Sequence, residues 1–96
     1  MAQHRIKPVE TQAFGDLKAQ QQQALCSFIE TDLELGRTLV DSAKETGDER
    51  TRERSKENAV KAAESVRNFL DRVDDAEVRS QMAKRLAALE ESISAL

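Results

Sequence analysis

The feature that most restricts the fold of this chain is a helical apolar repeat with very few interruptions. From about Thr11 to Thr46, Phe14, Leu17, Leu25, Phe28, Ile29, Leu33, Gly36, Leu39, Val40 and Ala43 recur at steps of three and four, the spacing that gathers side chains on one side of an α-helix. Thr46-Gly47-Asp48 then supplies a stop and a start. Gly47 is expected to take the left-handed conformation that ends one helix, and Asp48 to cap the next. A second helix over about 49–73 places Ala59, Ala62, Ala63, Val66, Phe69, Leu70 and Val73 inward, after two turns almost free of apolar residues. Asp74-Asp75 offers another cap, and Val78, Met82, Leu86, Leu89, Ile93 and Leu96 then step by three or four through a third helix over about 75–95. The expected fold is all-α: a three-helix antiparallel bundle, or a long helical hairpin plus a third helix.

Ninety-six residues with 39% hydrophobic and 34% charged residues fit one small domain of amphipathic helices better than a sheet or a coil. Residues 1–10 carry Pro8 and no sustained periodicity, so they are expected to form a flexible tail, with the helical domain over 11–96. The Gln-rich run at 20–23 has good helix propensity and reads as an exposed turn or two. A first helix of about 36 residues, roughly 50 Å long, outruns a second of about 25 residues. The stripe near Phe14 and Leu17 therefore either lacks an internal partner or folds against the third helix. Leu35 lies beside the main stripe, at the margin of the core or on a second contact surface.

The inventory restricts chemistry more sharply than it suggests any. His4 is the sole histidine and lies in the expected tail, so neither a Ser-His pair nor a multi-histidine metal site is expected within one protomer, and no Glu-x-x-His motif is present for a di-metal bundle. There is no Gly-rich phosphate loop. Cys26 adjoins Leu25, Phe28 and Ile29 and reads as a structural thiol, and a single cysteine excludes an internal disulfide. No catalytic, cofactor-binding or metal site is expected. No apolar run approaches the roughly 18–20 residues of a membrane span, and there is no signal-peptide core. A cytoplasmic protein without membrane partners is the expectation.

The most charged stretch, residues 45–58, balances Arg50, Arg52, Arg54 and Lys56 against Glu45, Asp48, Glu49, Glu53 and Glu57. Its acids outnumber its bases and the whole chain carries −3, so a phosphate-binding surface is not the expected use, because such a surface needs uncompensated Lys and Arg. On a helix the two signs form neighbouring rows that meet at i,i+3. The candidate interaction surface comprises Phe14, Leu17 and Leu35 together with Arg50, Arg52 and Arg54. Its partner is expected to be another protein or a second copy in a homodimer; nucleic-acid regulation through Arg50 to Lys56 is the alternative.

"LELGRTL" at 33–39 and "AVKAAESVRNFL" at 59–70 resemble the two helices of a tetratricopeptide repeat. Gly36 and Ala59 stand about eleven residues further apart than a repeat of roughly 34 residues gives, and the usual aromatic and proline positions are absent. The proportions are closer to a stand-alone hairpin or to domains of the microtubule-interacting-and-transport type. The resemblance implies a helix-hairpin scaffold used for protein contacts.

Overall fold

The computed structural model describes the backbone of residues 3–96 and the side chains of residues 15–96. Three helices account for these residues: α1 (Gln3–Glu45), α2 (Glu49–Leu70) and α3 (Ala76–Ser94), with no strand among them. The all-α, three-helix expectation is met. Residues 1 and 2 of the expected tail and the side chain of Phe14 lie outside the described residues. The assigned start of α1 at Gln3 precedes the expected helix start near residue 11. Pro8, the sixth residue of α1, has no N–H to donate to the His4 carbonyl.

α2 folds back along the C-terminal half of α1 because its inner face is built of small residues. Ala59, Ala62 and Ala63 are buried, and Val66 is fully covered; small side chains let two helix backbones approach closely. Against them α1 presents Ile29, Leu33, Val40 and Ala43, all buried. Each large aliphatic side chain removed from water in this way contributes about 1.5–3 kcal/mol. The buried Ser55 extends the interface into the charged first turns of α2.

The direction of α3 follows from three contacts. Gln22 reaches the turn before α3, Glu30 pairs with Arg85 at 3.9 Å, and Gly36 sits under Leu89. Residue numbers rise together along both helices, so α3 runs parallel to α1 and antiparallel to α2. Met82, Leu86, Leu89 and Ile93 are its buried face, and an ion pair between Arg67 and Glu90 ties it to α2. A Cβ placed on Gly36 would lie 2.6 Å from Leu89 Cδ2, 3.2 Å from Cδ1 and 3.4 Å from Cγ. With both methyls and the branch carbon that near, Gly36 sets how closely α3 can settle on α1.

Helix ends differ from expectation in instructive ways. Asp48 and Asp75 cap α2 and α3 as expected: Asp48 accepts from Arg50 N–H, and Asp75 from the N–H groups of Glu77 and Val78. Gly47, however, does not adopt positive φ. The chain leaves α1 without a left-handed cap because Arg52 donates instead to the carbonyls of Ala43 and Thr46. α2 ends at Leu70 rather than near Val73, since Arg72 N–H and Val73 N–H bond three residues back to Phe69 and Leu70 and tighten the turn. Val73 stays buried in that turn.

Gln22 corrects the reading of the Gln-rich run as merely exposed. Its side-chain amide donates to the Arg72 carbonyl at 3.0 Å, and its Oε1 accepts from Asp74 N–H at 2.9 Å. This half-buried clasp fixes the α2–α3 turn against α1. Residues 15–21, N-terminal to it, are all exposed. The stripe near Leu17 thus extends beyond the bundle instead of folding against α3, which begins level with Gln22.

Gly36→Ala is expected to lower stability by about 1 kcal/mol in a denaturant melt, overpacking against Leu89 exceeding the gain in helix propensity. In a Leu89→Ala background the same change should become neutral or stabilising. A stabilising Gly36→Ala in the unaltered chain would show that the α1–α3 approach is looser than described.

Candidate functional site

Of the residues expected to form a contact surface, Phe14 lies outside the described side chains, and the others fall at two places: Leu17 and Leu35 on α1, and Arg50, Arg52 and Arg54 at the start of α2. Leu17 and Leu35 are about five helical turns apart on the same side of α1, and both are exposed, at 52% and 49%. Phe28 stands between them on that side at 44% exposure. The apolar repeat places it with the core residues; the structure instead leaves it half outside, its ring edge-on to Phe69 at 5.3 Å between centroids. Arg72 covers Phe69 from the turn, its guanidinium carbon 4.8 Å from the ring centre. The aromatic pair therefore closes the outer edge of the α1–α2 seam rather than its interior.

Next to these side chains runs a shallow groove between α1 and α2. Phe28, Asp32, Leu35 and Leu39 line one wall, and Asn58, Lys61, Ala62 and Ser65 the other. Asp32 is the unusual member. Its Oδ2 is out of contact with solvent and has no hydrogen-bond partner among the described residues. A carboxylate oxygen in that position is unfavourable until a donor reaches it. Nothing in the local sequence marks Asp32, one acid among many on α1; only the neighbouring α2 withdraws it from water.

The arginines divide. Arg52 reaches back to cap the end of α1, its Nε donating to the Ala43 carbonyl at 3.3 Å. Arg50 and Arg54 are exposed at the start of α2, at the hairpin end of the bundle and apart from the Leu17 side. The expected i,i+3 ion pairs are not formed: among the described residues, the charged stretch contains no pair within 4.0 Å. The charges are solvated, and the order in this segment comes from backbone capping. Asp48 accepts from Thr51 Oγ1 at 2.6 Å as well as from Arg50 N–H. The Thr51 hydroxyl, then the Arg50 amide, hold its carboxyl below the usual carboxylate range.

Cys26 is free and half-buried beside the core. Among the described residues no three His, Cys, Asp or Glu side chains converge as metal ligands, and no helix is long and apolar enough to cross a membrane. No family model matches the chain, and no curated protein or solved structure matches it.

Replacing Arg52 by Gln should cost about 1 kcal/mol in a denaturant melt, since two capped carbonyls lose a charged donor, while Arg50→Gln and Arg54→Gln should each change stability by a few tenths at most. Equal effects at all three positions would contradict the capping role. For Asp48 the folded-state pKa is lowered, so its carboxylate contributes stability that is complete above the ordinary value of 3.8 and is lost as pH falls through the folded value. Asp48→Asn should therefore flatten the acid limb of melting temperature against pH. An unchanged acid limb would mean that the Thr51 and Arg50 contacts do not favour the ionised form.

Proposed function

We propose that this chain is a non-catalytic helical interaction module that binds protein through the exposed side of α1 bearing Leu17, Phe28 and Leu35. The single observation that carries this reading is the alignment of three large, exposed apolar side chains on one side of a helix whose neighbouring side already holds the bundle together. Large apolar side chains gathered on one exposed side are a usual mark of a contact site. The neighbouring groove adds a carboxylate oxygen in want of a donor. The hairpin scaffold that the sequence resembles suits the same use, and a cytoplasmic protein working without a cofactor is part of the proposal.

The alternative, nucleic-acid contact through Arg50 to Lys56, draws little support from the geometry. Arg52 is engaged in capping, and acids outnumber bases in the stretch. A phosphate surface built on the remaining side chains would have few free cations to neutralise a backbone.

A photo-crosslinking side chain placed at Leu35, and separately at Glu53 on the charged stretch, tests the reading in cells that express the chain. Crosslinks to protein, whether a second copy or a different protein, are expected from position 35 and not from position 53. Crosslinking at 53 alone, or none at 35, would overturn it.

A further inference from the structure

We propose that the exposed seam of α1 pairs antiparallel with the same seam of a second copy, so that the α1 overhang of each copy lies in the α1–α2 groove of the other. The inference rests on the protein-contact reading above and names the partner. Leu17, Gln21, Ala24, Phe28, Thr31 and Leu35 follow the alternating three- and four-residue steps of a heptad seam, the pattern of two helices that pack side by side. All of them are exposed. α3 packs on the other side of α1, through Glu30, Gly36 and their neighbours, so it does not obstruct this face.

Antiparallel pairing matches the seam to itself by size. It sets Leu17 against Leu35 of the second copy, Ala24 against its Phe28, and Gln21 against its Thr31. The two-fold axis repeats each layer. Large side chains meet small ones beside the Phe28–Phe69 pair, and the two leucines meet at either end. Residues 15–21, which have no cover in their own chain, gain cover along the whole of the Leu35 end.

Charge selects the direction. Lys18 and Asp32 lie on the same flank of the seam, at corresponding positions of the repeat, and antiparallel helices bring like flanks together. The ammonium of Lys18 then reaches Asp32 of the second copy, supplying the donor that Asp32 Oδ2 lacks in its own chain. This happens twice per dimer. Parallel pairing would bring opposite flanks together, set each leucine against its own counterpart and leave Lys18 away from the carboxylate.

The test uses full-length chains. Light scattering is expected to give twice the chain mass of 10.7 kDa. In a Cys26→Ser background, Leu17→Cys and Leu35→Cys chains mixed under mild oxidation should form a mixed disulfide, and neither should crosslink alone. Lys18→Glu and Asp32→Lys should each raise the dimer dissociation constant about tenfold or more, and the double exchange should restore it. Lys18 stands on the overhang, so its reversal tests the pair without disturbing the bundle. A monomeric mass with no crosslink would overturn the dimer while leaving contact with a different protein in place. A disulfide formed by Leu17→Cys alone would show parallel pairing, and a double exchange no better than the single ones would remove the Lys18–Asp32 contact. Either result overturns the proposal.

Discussion

The close approach of α2 to α1 is the interaction on which the remaining structure depends. It is possible because Ala59, Ala62 and Ala63 offer almost no side chain between the two backbones. With the helices this near, Ile29 and Val66 are fully covered, and a strip of apolar surface from both helices is left for α3. Gly36 then plays toward α3 the part that the alanines play toward α2: absence of a side chain allows Leu89 to sit directly on the α1 backbone. Two helix contacts built on small residues thus set the spacing of all three helices.

Unequal helix lengths have a second consequence. α1 has 43 residues against 22 in α2 and 19 in α3, so no arrangement of the shorter helices can cover it. The clasp from Gln22 marks the level at which the bundle stops, because it anchors the turn between α2 and α3. Beyond it, among the described residues, α1 continues with Leu17 uncovered. Phe28 and Leu35 continue that exposure alongside the bundle, where α2 covers them only in part. A helix with one side committed to its own core and another side apolar but uncovered is well suited to join two molecules.

The charged stretch before Asn58 serves the hairpin rather than a ligand. Asp48 organises the start of α2, and Arg52 reaches back to the last carbonyls of α1. Solvated ion pairs on a helix contribute little, whereas satisfying orphaned backbone groups at two helix ends decides where the chain turns. This explains how a turn containing Gly47 manages without a left-handed residue: a side chain from the next helix does the work of the C-terminal cap.

The sequence by itself determined the helices, their order and most of the core. Periodic Leu, Ile, Val and Ala positions define which side of a helix is apolar whatever it packs against, and Asp48 and Asp75 act on N–H groups only two or three residues away. These are local properties. Only the tertiary structure decided that α3 lies parallel to α1, that Gln22 among four consecutive glutamines is the one that binds a distant turn, and that Arg52, not Arg50 or Arg54, bonds to the last carbonyls of α1. It also moved Phe28 from core to edge and isolated Asp32 Oδ2 from water. Each of these depends on which neighbour arrives from another helix, and a repeat of three and four gives every apolar position on a side the same weight. The candidate face was half legible for that reason: Leu17 and Leu35 stand out as apolar residues without an evident partner, but the groove and its carboxylate exist only once α2 lies beside them.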